Sequence, residues 1–348
     1  MLAQLPVEAS YVRCNSLSLA GDVLVVARQT DKVGQRYGGI TAYDVKDPTK
    51  PAPLSHLDLT GPHSRGTHYL AFSDGHYAYL STGAKDFTPK NPLDDQFLMI
   101  VDMSDPGHPK ETGRWWLPGT RVGDRAPPPP RVHPFDSGFR LHTPVVPAER
   151  PDRLYAGWID GGVVILDIAD KAHPKLISRL SWQSLGDGFQ HTMVPLLDRG
   201  IALVSQEATH DHCEDWPKRV RIVDIADEAH PYPLSVLPPP AGRAALCEAG
   251  GRFGSHNINL NRAGATERSL KRTVVTAQFN GGIRAYSIAD PDRPAEIGYL
   301  IPKPPAANQT GTIQMNDLLV DETGLIYADD RLAGGLYIIR YTGSTPLE

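Results

Sequence analysis

Six segments of this chain repeat one pattern: an apolar strand ending near an Asp, a turn containing Pro, then a second short strand. The copies read ITAYDVKDPTKPAPLSHLDL from Ile40, LMIVDMSDPGHPKETGRWWL from Leu98 and VVILDIADKAHPKLISRLSW from Val163. They continue with VRIVDIADEAHPYPLSVLPP from Val220, IRAYSIADPDRPAEIGYLIP from Ile283 and a truncated LYIIRYTG from Leu336. One such unit cannot bury its own apolar face, so neighbouring copies must stack and share a core.

Asp44, Asp102, Asp167, Asp224 and Ser287 mark one repeat position at intervals of 57 to 65 residues. That length holds four short strands and their loops. The expected fold is all-β: a six-bladed β-propeller of four-stranded antiparallel blades, one domain over 1–348. The blades fall at about 11–60, 61–118, 140–181, 189–238, 254–301 and 312–345. The last copy ends before a fourth strand. Gln4–Ser10 has no role in the first blade, so it is expected to supply that strand, close the ring and protect the sheet edge.

With 32 Gly and 32 Pro in 348 residues, turns dominate over long helices. The net charge of −5 is spread along the chain, so neither a nucleic-acid groove nor a basic membrane-binding face is expected. The opening MLAQLPVEASYVRCNS has no basic and apolar leader, and no apolar run spans a membrane. The expectation is a soluble, cytoplasmic protein acting on a small molecule, its oligomeric state open. Cys14, Cys213 and Cys247 are odd in number and scattered, which predicts neither a disulfide framework nor a zinc site. Cys247 is expected to be a buried thiol.

Four histidines fall at one repeat position. Aligned by the alternating apolar residues of each blade's innermost strand, the six equivalent residues are Asn15, His68, His142, His191, His256 and Asn316. Side chains alternate along strands, so same-phase residues on six radial strands converge on the axis. Four neutral imidazoles aimed at one point suit a transition metal better than calcium, which prefers oxygen. Fe(II) is favoured, with Cu, Mn or Zn as alternatives. The two Asn positions leave one side open for water, O2 or substrate.

The loops around that axis supply further candidates. Glu207, at the inner end of Gln206–Arg219, is expected to support a ligand or act as a general base. His63 and Asp160 are further candidates for that role. Arg65, His133, Phe135, Phe139, His210 and His212 are expected to line a substrate pocket, the proline-rich stretch before Phe139 serving as a lid. His210 and His212 are also a candidate second metal pair. His108, His173 and His230 sit in the turn after the recurring Asp, where turn packing is expected.

The runs Leu98-Met-Ile-Val-Asp102, Val163-Val-Ile-Leu-Asp167 and Val220-Arg-Ile-Val-Asp224 resemble the LVIVD-repeat β-propeller family. The resemblance covers nearly the whole chain and implies fold rather than activity. The axial histidines look like the non-haem iron site of carotenoid cleavage oxygenases, by analogy of layout. Selenium-binding proteins are a second parallel, whereas the oxygen-rich calcium site of lactonase-type propellers is not matched. No G-x-S-x-G elbow, P-loop or dinucleotide fingerprint is present. The leading expectation is therefore a metal-dependent oxygenase or oxidoreductase acting on a small organic molecule, aromatic or apolar. A metal-dependent hydrolase or lyase, or a non-enzymatic interaction propeller, are the alternatives.

Overall fold

The computed structural model describes residues 2–182, 188–215, 217–261, 266–308 and 310–348. It is an all-β, six-bladed β-propeller. Blade one pairs Leu17–Ala20, Val23–Thr30, Gly39–Asp44 and Ala52–Asp58 in order, with Val12–Arg13 added along Val23–Thr30. Blade two runs Thr67–Ala71, Tyr77–Thr82, Phe97–Asp102 and Lys110–Trp115. Blade three runs Pro144–Val145, Arg153–Gly157, Val163–Asp167 and Lys175–Leu180. Blade four runs Gln190–Leu196, Ile201–Gln206, Val220–Asp224 and Tyr232–Val236. Blades five and six show three strands each: Thr273–Ala277, Ile283–Ser287 and Ala295–Leu300, then Met315–Val320, Leu325–Asp330 and Gly335–Arg340.

The repeat has a local cause. The Asp44 carboxylate accepts the N–H of Lys46, and Asp102, Asp167 and Asp224 do the same two residues on, at 2.8–2.9 Å. Each side chain thereby folds the backbone out of the strand. Just before that residue the pairing to the outer strand slips, at Ala42/Tyr43, Ile100/Val101, Ile222/Val223 and Ala285/Tyr286. His108, His173 and His230 each contact the Asp three residues earlier at 2.8–2.9 Å and stay exposed. They are turn residues, as expected.

The chain divides into two compact units: residues 1–131 with 136–177, and residues 132–135 with 178–348. In the first, Leu70, Leu80, Phe97 and Met99 form one core between the first two blades. A second core holds Trp115, Leu117, Phe139 and Trp158. In the second unit, Val275, Ile283, Met315, Leu318 and Ile326 form the core. No helix among the described residues is long and apolar enough to cross a membrane.

Three expectations need correction. Gln4–Ser10 forms no strand; Glu8 instead approaches buried Arg28 at 3.5 Å, and Ala9 accepts the N–H of Val12. The fourth strand of blade six is thus absent among the described residues. The inner segment of blade five, expected as Asn257–Leu260, is held only by the Ile258–Thr276 bridge and flanking bonds. Finally, Cys213 and Cys247 form a disulfide, with Cα atoms 5.4 Å apart, so Cys247 is not a buried thiol. Cys213 lies in a loop and Cys247 in the short helix Arg243–Glu248, and only the folded path brings them together.

Candidate metal centre

The innermost strands share an irregularity. In blade two, Thr67 pairs with Thr82 and Tyr69 with Ser81, so His68 is skipped. In blade four the same slip skips His191, between Gln190 and Thr192, and in blade six it skips Asn316, between Met315 and Asp317. His142 and His256 occupy the corresponding break in blades three and five, where each N–H donates to the neighbouring strand, at Gly157 and Ala277. Asn15 lies between Val12–Arg13 and Leu17–Ala20. A bulge re-aims the extra side chain out of the alternation of its strand. For His68, His191 and Asn316 the alignment thus rests on a backbone feature as well as on sequence phase.

In the first unit, Asn15, His68 and His142 are linked. The Gln29 Oε1 accepts from Asn15 Nδ2 at 2.7 Å and lies 3.0 Å from His68 Nδ1. Asn15 Nδ2 also lies 3.0 Å from that Nδ1. An amide oxygen only accepts and an amide N–H only donates, so Gln29 calls for a proton on His68 Nδ1 and Asn15 for a lone pair there. His68 Nε2 and His142 Nε2 are 2.9 Å apart, with ring planes at 73°. Two imidazole nitrogens that close need a proton or a cation between them. Two ligands at about 2.1 Å from one ion, at right angles, would be about 3.0 Å apart. His142 Nδ1 is 3.0 Å from Thr143 Oγ1.

In the second unit, His191 and His256 pack edge to face, centroids 4.6 Å apart. His256 Nδ1 donates to the Asn316 carbonyl at 2.6 Å, which leaves its lone pair on Nε2. His191 Nδ1 is 2.6 Å from Thr192 Oγ1. Burial pushes both histidines down to about 3, helped for His256 by Arg331 and for His191 by His256. Both are neutral near pH 7, the state that binds metal. Glu207 Oε1 is 3.7 Å from His256 Nε2, and a carboxylate oxygen of Glu207 lies within 4.8 Å of a ring nitrogen of His191. Arg252 donates to that Oε1 at 3.0 Å. This half offers two neutral nitrogens and one carboxylate, a donor set that fits a divalent transition metal.

The other expected residues divide. Phe135 stacks on His210 at 4.4 Å and its N–H donates to His133 Nδ1, so these three do meet. His212 is exposed, with its Nδ1 3.1 Å from the Cys247 carbonyl. Among the described residues, His210 and His212 join no group of three metal-ligating side chains. Arg65 is bound to Asp95 at 2.9 Å. Asp160 is buried and accepts the Ser137 N–H at 2.5 Å, buttressing the proline-rich connection. Phe139 belongs to the core, under the Arg131 guanidinium. His63 is exposed on the turn between Thr60–Gly61 and Ser64–Arg65.

Sequence reasoning missed Gln29, Thr192, Phe279 and Arg252. The logic that picks Arg65, shortly before His68, applies equally to Arg252, four residues before His256. Phe279 had a fainter signal: Gln278-Phe-Asn-Gly-Gly282 repeats the place of Trp158-Ile-Asp-Gly-Gly162. Both central residues take a positive φ, 48° at Phe279 and 42° at Ile159.

The LVIVD repeat family matches residues 94–115 and 154–181. No curated protein matches the chain in sequence. Among solved structures, the chain is similar to the β-propeller domain of Cps50 (Swd1) from Myceliophteria thermophila. That match has TM-score 0.56 and 14% identity, covering 94% of this chain and 84% of that one. It is also similar to the periplasmic gluconolactonase of Pseudomonas aeruginosa, at TM-score 0.55 and 13% identity, with 95% and 86% covered. A hypothetical selenium-binding protein from Sulfolobus tokodaii matches at TM-score 0.55 and 11% identity, with 92% and 75% covered. Likeness at these identities concerns the fold alone.

Proposed function

We propose that this LVIVD-repeat β-propeller is a metal-dependent enzyme in which His68, His142, His191 and His256 serve one transition-metal ion. The observation that carries the reading is the common place of the four histidines at the head of the inner segments, where the pairing slips at His68 and His191 and the His142 and His256 N–H groups each bond the neighbouring strand. The common position of the four in the sequence repeat supports giving both pairs to one ion. The bonds at Nδ1 support it, because a ligating histidine is oriented by what its other nitrogen holds. Such an ion supplies Lewis acidity or, with iron or copper, redox chemistry towards O2. Iron and oxygenase chemistry remain the preferred form, with hydrolysis or lyase chemistry second.

The chain's own residues have defined tasks. Gln29, Thr143, Thr192 and the Asn316 carbonyl orient the rings. Glu207, held by Arg252, is placed to accept or return a proton beside His256. The disulfide weighs against the cytoplasm expected from sequence, since such bonds persist in oxidising compartments. We place the protein in one.

Metal analysis of the purified protein tests the reading. One equivalent of iron or copper per chain favours redox chemistry; zinc or manganese favours the hydrolase or lyase form. His142→Ala should fold and lose most of the metal. Unchanged metal content in that variant, or no metal after reconstitution, would sink the assignment.

A further inference from the structure

Two mutual backbone bonds join Phe279 to Met315, each 3.1 Å. The carbonyl of the next residue, Asn316, accepts His256 Nδ1 at 2.6 Å and Asn257 Nδ2 at 3.0 Å. In the same turn, the Asn280 N–H donates to the Arg252 carbonyl at 3.1 Å. The Asn280 side-chain amide donates to the carbonyls of Leu246 and Gly250 at 2.7 and 2.8 Å. Arg252 in turn holds Glu207. One turn, residues 278–282, thereby fixes both the acceptor of His256 and the backbone of the arginine beside Glu207. The Phe279 ring is fully buried and lies flat on His256, centroids 4.7 Å apart at 21°.

The turn itself recurs. In blade three the Trp158 N–H donates to Gly162 at 2.8 Å, as the Gln278 N–H donates to Gly282 at 2.9 Å in blade five. The second residue of each turn takes a positive φ, 42° at Ile159 and 48° at Phe279. The third donates its N–H to the residue four before the repeat histidine, Gly138 or Arg252. The backbone strain therefore belongs to the turn, and the blades differ in the side chain it carries. Blade three has a branched aliphatic chain there and blade five a flat ring. Rotation of an imidazole about its Cβ–Cγ bond is soft, with two orientations that exchange ring nitrogens for carbons. A hydrogen bond at Nδ1 selects one of them, and a flat neighbour limits the tilt which that bond alone allows.

We propose that Phe279 is a positioning residue of this centre: its ring sets the plane of His256, and its backbone sets the carbonyl that receives Nδ1. Its bearing on metal rests on the metal-centre reading; its bearing on the histidine does not. Heteronuclear NMR of the histidine rings, on metal-free protein near neutral pH, reads which nitrogen carries the proton. Loss of signals in His256→Gln identifies those of His256. The parent should show one His256 tautomer, protonated at Nδ1. Phe279→Leu and Phe279→Gly remove the ring, the second also relieving the strained φ, and both should show a mixture of tautomers. Phe279→Tyr keeps a ring and should keep the single tautomer. Circular dichroism checks that each variant is folded. Chelator competition then measures metal affinity, which should fall about tenfold or more in the ringless variants and stay within about threefold in Phe279→Tyr. A mixed parent, a single tautomer in either folded ringless variant, a mixture in Phe279→Tyr, or parent-like metal affinity without the ring would overturn the proposal. With metal still bound in those cases, the metal reading would survive. A tautomer that depends on Phe279 in a protein that takes up no metal would uphold the positioning role and sink the metal reading instead.

Discussion

His68 and His256 occupy the same repeat position, one in each unit, but are held by different means. His68 is half-buried and takes its Nδ1 bond from a side chain, Gln29. His256 takes its bond from a backbone carbonyl, that of Asn316, and stacks on a strained phenylalanine. Its partner His191 is almost wholly buried, whereas His68 has Asn15 beside it and a more open position. In the second unit a carboxylate, Glu207, stands against the pair. The difference teaches a division of labour. The second half is fixed by backbone and burial and stays neutral. The first is adjustable through side chains and suits the side on which an ion or ligand arrives.

The largest expected effect is acid destabilisation traced to the second half. In metal-free protein, His191 and His256 remain neutral down to about pH 3, while unfolded histidine protonates near 6.5. Between those values the unfolded chain binds protons that the folded chain refuses. Their penalty is absent above pH 6.5 and grows as pH falls, by about 1.4 kcal/mol per histidine for each pH unit. The two repel when charged, so they titrate as a pair. His56 in the first unit is also lowered by burial and acts in the same direction. Urea unfolding at pH 6.5, 5.5 and 4.5 measures the slope, and His191→Gln should make it shallower. A flat stability over that range would remove the contrast between the halves.

Next in size is the disulfide, which ties the loop after Glu207 to the short helix Arg243–Glu248 just before Arg252. It closes a loop with a sequence separation of 34 residues. Chain-entropy scaling gives such a crosslink about 3–4 kcal/mol. Cys213→Ser with Cys247→Ser should lower stability by that order and weaken metal binding through the Glu207–Arg252 side alone. Equal stability of the variant and the parent in denaturant would show that the loop needs no tie.

The repeat strands were legible because their causes are local. The alternation of Leu98 to Asp102 and the turn-forming Asp need only a few neighbours to act. The histidine alignment was legible for the same reason: it counts from apolar positions within one strand. What sequence could not show depends on distant chain segments. Cys213 meets Cys247 only after a loop and a short helix have taken their places. Phe139 reads as a loop aromatic until Asp94 accepts its N–H, at 2.7 Å, and draws it into the core. Counting strands alone assigns Gln4–Ser10 to blade six, whereas its Glu8 lies 3.5 Å from Arg28 of blade one. The bulges that single out His68 and His191 leave no mark in composition, because any residue tolerates them.

The comparison sharpens with the residues that orient each ring. Gln29→Leu should release His68 and weaken metal binding by about 10–100-fold, as loss of a ligand's supporting bond does. Thr192→Val, nearly the same shape, removes the partner of His191 and should fall at the lower end of that range, because burial still holds the ring. Competition with a chelator of known affinity reads both. A larger loss in Thr192→Val than in Gln29→Leu would reverse the assignment of rigid and adjustable halves.

The smallest effect is expected at His63. It stands five residues before His68 on an exposed turn. If proximity in sequence decided membership of the site, His63→Ala would cost metal affinity as Gln29→Leu does. If membership is decided by the bulge, His63→Ala should leave affinity within twofold and stability within about 0.5 kcal/mol. Measuring metal affinity in both variants under one protocol separates the two criteria. A tenfold loss at His63 would mean that the exposed turn closes over the first half when an ion is present, and that the open side of the centre has a histidine of its own.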